Sequence, residues 1–299
     1  MGVGGGAVGR SAVTKLDPLD AIVLSHVQVA PLLAARRSGA TTATTSPDLG
    51  LTTVEVDLID SGVRFPGGEL LTWADADEAV DDENKCFTLI DSAINPISFY
   101  SERTNWLRTL FPTQHAPTML VSGITMHRIK GIDPYTDTLR KIKTIAPIAG
   151  RVLDTATGLG YTAIEAAKTA AEVITIELDP AGLEVARRNP WSRALFTNDR
   201  IRQIVGDAYE EVEQFPDNHF ARIIHDPPMF SLAGELYSGA FYRQLYRVLT
   251  RNGRLFHYIG DLESTSGRSI VPGVLRRLKE AGFKRIVRHQ EAFGVVALK

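Results

Sequence analysis

The 299-residue sequence has one cysteine, Cys86, and a net charge of only −2. A lone cysteine excludes an intramolecular disulfide and any cysteine-rich zinc site, and it fits a reducing compartment. The remaining His, Asp and Glu residues show no metal-ligand spacing, so no metal is expected. The near-neutral charge excludes a protein that coats nucleic acid by bulk positive charge, although a local basic patch stays open. Long hydrophobic runs are also missing. A membrane span needs about 20 mainly apolar residues. The best stretch, Ala21 to Ala35, contains His26, Gln28 and Pro31 and runs into Arg36-Arg37. The opening MGVGGGAVGR has no apolar segment of signal-peptide length. It also has Gly6 where a myristoylated Met-Gly start needs Ser or Thr. These absences predict a cytoplasmic protein with no membrane partner. The 44 % hydrophobic and 23 % charged composition excludes a fibrous or mostly disordered chain.

Length suggests a catalytic-size domain behind a smaller one. Residues 1–15 are Gly-rich and read as disordered, 16–130 as a small mixed α/β domain, and 131–299 as the larger domain. In the front part a helix is expected near 17–37. Thr41–Thr45 and Leu51–Ile59 flank Ser46-Pro47-Asp48-Leu49-Gly50, a strand–turn–strand pattern. Cys86–Ile90 and Met119–Ile124 read as further strands. Charge is uneven: residues 51–100 carry eleven acids against Arg64 and Lys85, whereas residues 251–299 carry ten Lys or Arg against four acids. The basic end is either a solvated helix face or a surface for phosphates.

Asp133-Pro134 marks a helix start running to about Ile145. After it strands and helices alternate. Val152–Asp154, Val173–Glu177, Ile201–Gly206, Arg222–His225 and Arg254–Ile259 read as strands. Thr162–Thr169, Ala181–Arg188, Leu236–Leu249 and Val271–Ala281 read as helices. Such alternation predicts an α/β fold with a doubly wound, mostly parallel sheet of Rossmann-like type. Ligands then sit beyond the carboxyl ends of the strands.

The acids at those ends carry the chemistry. The first strand closes on Asp154, followed by Thr155 and a turn through Gly158, Gly160 and Tyr161 that opens a helix. A dinucleotide needs room for pyrophosphate at that turn. A carboxylate four residues before the first Gly suits a cationic amino-acid group instead, which favours S-adenosyl-L-methionine (SAM) over NAD. Glu177, with Leu178 beside it, stands about 20 residues further on, where an acid accepts ribose hydroxyls. Asp179-Pro180 reads as a helix cap. Asp207-Ala208 closes the third strand, where a carboxylate can accept the adenine amino hydrogen. Each acid alone has a plain alternative as a helix cap, but acids at three successive strand ends point to one adenosyl ligand.

The fourth strand ends His225-Asp226-Pro227-Pro228-Met229-Phe230. Two prolines stop further pairing and stiffen the corner. The Asp226 carboxylate and the Pro227 carbonyl are acceptors suited to an sp² amino group, which donates two hydrogens. A tight turn with no catalytic part is the plain alternative.

Residues 151–261 resemble class I SAM-dependent methyltransferases carrying the Asp-Pro-Pro element of exocyclic-amine N-methyltransferases. That family usually has an aromatic residue after the prolines; here Met229 takes its position and Phe230 follows. The runs HDPPMFSLAGELY and MLVSGITMHRIKGID resemble a narrower archaeal-type, spermine-synthase-like group, one branch of which is a ribosomal RNA cytidine N4-dimethyltransferase. The resemblance spans about residues 50–299. It implies that Asp154, Gly158 and Gly160 cradle methionine, Glu177 the ribose, and Asp207 with Ala208 the adenine, flanked by Thr155, Tyr161 and Leu178. It implies that Asp226, Pro227 and Pro228 hold the target amine, with Phe230 stacking on a flipped base or packing in the core. His127 and Arg128 precede the core domain and are candidates for the substrate entrance. His225 and His257 end neighbouring strands and read as satisfied structural histidines or as substrate-side residues.

The leading expectation is therefore a SAM-dependent methyltransferase acting on cytidine N4 in small-subunit ribosomal RNA. Arg187, Arg188, Arg193, Arg200 and Arg202, together with the basic tail, are candidates for holding phosphates. An aminopropyltransferase that uses decarboxylated SAM is the second reading. It normally carries extra acids after the fourth strand, where only Glu235 is near. A non-catalytic SAM-binding scaffold is the third.

Overall fold

Strand–helix alternation in the second half becomes a seven-stranded sheet in the computed structural model, which describes residues 18–230 and 232–299. The expected disordered segment 1–15 lies outside the described residues. The front part begins with β1 (Ile22–Leu24) and α1 (His26–Arg37). The expected helix near 17–37 thus starts later. Ile22–Leu24 pairs with β6 (Phe87–Ile90), and Ser25 with Gln28 forms a capping box that begins the helix. Strands β2 (Thr42–Thr45), β3 (Val54–Ile59), β4 (Gly62–Arg64) and β5 (Leu70–Thr72) make an antiparallel meander, followed by α2 (Trp73–Asp81). The acidic stretch is thus largely helical: α2 exposes Asp77, Glu78 and Asp81 and buries Trp73, Ala76 and Ala79.

Strand β7 (Ala93–Pro96) completes the β1–β6–β7 sheet. Next, β8 (Ser98–Ser101), β9 (Trp106–Phe111), β10 (Thr118–Val121) and β11 (Ile124–Thr125) form another antiparallel sheet. The single strand expected over Met119–Ile124 is a hairpin, because Ser122 and Gly123 both take positive φ and turn the chain.

Helix α3 (Pro134–Thr144) starts at the Asp133 cap and leads to β12 (Arg151–Asp154), α4 (Tyr161–Ala167), β13 (Glu172–Glu177) and α5 (Pro180–Arg187). The chain continues through α6 (Arg193–Thr197), β14 (Ile201–Val205), α7 (Ala208–Glu213) and β15 (Phe220–His225). It ends with α8 (Gly239–Val248), β16 (Leu249–Tyr258), α9 (Thr265–Glu280), β17 (Arg285–His289) and β18 (Gly294–Leu298). The sheet order is β14-β13-β12-β15-β16-β18-β17. The first five are parallel, and β18 inserts antiparallel between β16 and β17. The inner strands are near-continuous apolar runs because helices cover both faces. Ser264 caps α9, so that helix begins earlier than Val271 and carries Pro272 inside it.

The front part has its own core around Leu32, Val56, Phe65 and Leu89. It also shares a second core with the large sheet, in which Val23, Cys86, Leu110 and Met119 pack with Val152, Leu159 and Tyr161. The front sheets are therefore fused to the face of the α/β layer.

Candidate active site

The β12–α4 turn is held between its two neighbouring strands. The Thr155 amide donates to the Ile224 carbonyl of β15 at 3.0 Å, and the Thr157 amide to the Ile176 carbonyl of β13 at 2.9 Å. Gly158 at φ +52° and Gly160 at φ +76° supply left-handed backbone that L side chains adopt only with strain. Glu177 closes the turn from the side: the Gly158 amide donates to its Oε2 at 2.9 Å and the Asp179 amide to its Oε1 at 3.0 Å. Burial pushes the Glu177 carboxyl up, and those two amides work against the shift. Asp207 caps α7 by accepting from the Tyr209 amide at 2.8 Å.

Beyond the strand ends lies a cavity of about 430 Å³. Thr155, Gly158, Tyr161, Glu177, Leu178, Asp207 and Ala208 line one end, and Asp226, Pro227, Pro228 and Phe230 line the other. His127 joins them from the front part. Glu177 and Asp226 therefore face one space. The volume falls within the usual range for small-molecule sites. Carboxylates that can accept from hydroxyl and amino groups, beside the apolar Leu178 and Ala208, match an adenosyl group and a sulfonium cation.

Five expected site residues do not line the cavity. Asp154 is fully buried and turned into the fold, where its Oδ2 accepts from the Thr162 hydroxyl at 2.8 Å; burial raises its carboxyl to about 7. Gly160 caps α4 and packs on Leu195. Arg128 reaches away to Asp137 at 2.8 Å and lies over the Phe293 ring. His225 is buried with its Nδ1 2.7 Å from the Thr155 hydroxyl and its Nε2 3.0 Å from the Leu236 carbonyl. His257 is buried with its Nε2 2.8 Å from the Tyr242 hydroxyl. Burial lowers the His225 imidazole to about 3 and His257 well below its usual value. Both are satisfied, neutral core histidines. His127 does reach the cavity; its Nδ1 is 2.9 Å from the Thr118 hydroxyl, and burial, aided by nearby Lys141, lowers it to about 3.

The arginine group also has local partners. Arg188 pairs with Glu184 and Arg193 with Asp20, both at 2.6 Å, and Arg187 covers Phe196. Arg200 and Arg202 sit at the amino-terminal side of β14, away from the cavity.

Sequence reasoning missed the residue nearest to Asp226. Lys141 Nζ lies 2.6 Å from Asp226 Oδ2 and 3.0 Å from Asp137 Oδ2. Burial pushes the Lys141 ammonium down, but Asp226 and Asp137 outweigh it and raise it overall. Burial likewise lifts Asp226, with Lys141 opposing. The available signal was the Asp137/Lys141 pair at i, i+4, which ordinarily marks an exposed helix face. Trp106 and Arg108 of β9, also missed, line the cavity too, and Arg108 pairs with the buried Asp179 cap at 2.8 Å.

Residues 152–253 match the methyltransferase domain family. The chain is 44 % identical over 238 residues to the uncharacterized protein MJ1233 of Methanocaldococcus jannaschii, covering 79 % of this chain and 81 % of that one. It is 33 % identical over 104 residues to a polyamine aminopropyltransferase of Sulfolobus acidocaldarius, which spans about a third of each chain. The crystal structure of spermidine synthase from Thermotoga maritima shares the fold, with a TM-score of 0.54, 18 % identity and coverage of 67 % of this chain and 72 % of that one. The domain match gives residues 152–253 a methyltransferase domain of Rossmann-like fold, and the cavity at its strand ends presents carboxylates that fit an adenosyl ligand. With identity extending across four-fifths of both chains, the protein belongs to the same family as the Methanocaldococcus jannaschii protein.

Proposed function

We propose that the protein methylates an exocyclic amino nitrogen of a nucleobase in RNA, with cytidine N4 of small-subunit ribosomal RNA as the target. The observation that carries this reading is Asp226, at the end of β15, sharing one cavity with Glu177. SAM, when bound, supplies a methyl carbon on a sulfonium and leaves as a neutral thioether. Glu177 accepts from the ribose, and Asp207 accepts from the adenine amino group. Asp226, 19 % exposed and with Oδ2 engaged by Lys141, offers Oδ1 to the target N–H. Holding both amino hydrogens at the Asp226–Pro227 corner draws the nitrogen lone pair out of ring conjugation and aims it along the cavity. Positioning of this kind supplies much of a transfer rate. The proton shed by the methylated nitrogen passes to the Asp226 carboxylate and on to water.

The mouth supports a flat, unstacked base. Met229 and Phe230 are 50 % and 46 % exposed, and Ile124 and Met126 face the same opening. Arg268, whose Nε donates to the Glu263 carbonyl at 2.7 Å, is exposed one residue beyond the lining residue Gly267 and adds positive charge near the mouth. The test is to incubate the protein with labelled SAM and stripped ribosomal subunits, digest the RNA and separate the nucleosides. Label in N4-methylated cytidine is expected. Label confined to protein or small molecules would overturn the reading.

A second reading, aminopropyl transfer to a diamine, is favoured by the Sulfolobus acidocaldarius relative and by Glu235 and Asp261 on the cavity wall. Calorimetry with SAM and with its decarboxylated form separates the two. Tighter binding of the decarboxylated form would favour this second reading.

A further inference from the structure

Asp226 is not a free negative charge. Its Oδ2 contacts Lys141 Nζ at 2.6 Å, and the Lys141 side chain is only 4 % exposed. Lys141 contacts Asp137, and Asp137 Oδ1 takes Arg128 at 2.8 Å. Four charges of alternating sign run from the front part to the cavity, and they cancel in pairs. The Lys141 ammonium also lies 4.5 Å from the Tyr258 ring centre.

A site built to hold a diamine must present an uncompensated carboxylate, because burying an ammonium without a partner is costly. At Asp226 that compensation is already made by the chain itself. A second cation there would meet Lys141 a few ångströms away in poorly screened surroundings. A conjugated amine carries no charge and needs only an acceptor oxygen. We infer that Lys141 is a positioning and specificity-determining residue that makes the Asp226 corner accept an uncharged N–H donor and reject an ammonium. The inference rests on the amine-methylation reading of the same site. Lys141 does not line the cavity, so it acts through Asp226. The groups facing Asp226 are Lys141 and Asp137 from α3, Asp154 from β12, Tyr258 from β16, and Tyr237. Lys141 is the cation among them.

The test uses the full chain saturated with S-adenosylhomocysteine. The Asp226 carboxyl carbon is followed by NMR through a pH titration and assigned with Asp226→Asn. In Lys141→Met its midpoint should rise by about one to three pH units, the usual effect of an adjacent opposite charge, and Lys141→Arg should hold it near the wild-type value. An unmoved midpoint in Lys141→Met overturns the inference. If that variant loses S-adenosylhomocysteine binding through misfolding, Lys141→Gln replaces it. Independently, calorimetry should show no putrescine binding to the wild-type protein. Putrescine binding that Asp226→Asn abolishes also overturns the inference. Where ribosomal RNA is methylated, the acid limb of the pH–rate profile in Lys141→Met must move up with the NMR midpoint. An absence of RNA methylation beside a shifted midpoint and no putrescine binding fails the substrate reading alone.

Discussion

The two ends of the cavity are built differently. At the adenosyl end Glu177 and Asp207 are held by backbone amides within a few residues or on the adjoining turn. At the end proposed for the amine, Asp226 is held by a side chain, Lys141, from a helix 85 positions earlier in the chain. Backbone amides are fixed once the strands pair, so the first end follows from the sheet. A buried ion pair depends on two elements packing correctly, and removing one partner leaves an uncompensated charge. The end proposed for the cofactor is thus the robust half and the end proposed for the amine the tunable half.

Substitutions that split the two ends sharpen that contrast. Asp226→Ala should lower methyl transfer at least about a hundredfold while SAM affinity stays within about twofold, as read by single-turnover assay and calorimetry. Full biological activity in that variant would instead support a scaffold role. Glu177→Gln should do the converse at the binding step. A hydrogen bond to a charged group is worth about 1.5–3 kcal/mol, so SAM affinity should fall roughly ten- to a hundredfold in calorimetry.

Between the two ends lies His225, which bonds Thr155 of the glycine turn and immediately precedes Asp226. Its folded value near 3 lies below its unfolded value of 6.5. Stability is therefore intact above pH 6.5 and declines as pH falls toward 3, by roughly 2 kcal/mol at pH 5. Asp154, raised to about 7, pulls the other way over the same range. The histidine contribution is thus the difference between wild type and His225→Gln in urea melts at pH 7 and pH 5, with the wild type losing more. The smallest effect is expected from Gly160→Ala. A Cβ there would meet Leu195 Cδ2 at 2.7 Å at φ +76°. A cost of about 1–2 kcal/mol should lower the melting midpoint by a few degrees.

The five parallel strands of the large sheet are readable because each is a largely apolar run that ends on or just before an acid or a glycine. Val173–Glu177 and Arg222–His225 show this most clearly. β17 is not readable in the same way. Arg285, Val287 and Arg288 are exposed, so an edge strand paired on one side shows no hydrophobic run. The capping box at Ser25 was overlooked because Ala21–Leu24 is as apolar as the helix that follows. At the site, glycines and acids at strand ends could be found from spacing alone. Which way a side chain turns could not, and Asp154 faces Thr162 rather than the cavity for that reason. Lys141 escaped because a lysine on a helix reads as solvated until the acid it meets is known. His225 and His257 offered two readings until their hydroxyl and carbonyl partners were located.

The Arg108–Asp179 pair, with Thr104 also donating to Asp179 at 3.0 Å, pins β9 of the front part to the cap of α5. Two walls of the binding space therefore come from separate layers bolted together at a buried point. Such a clamp resists the hinge closure by which many two-part enzymes engulf their ligands. What remains free to adjust at the opening is its rim, where the exposed apolar side chains of Met126, Met229 and Phe230 line the cavity.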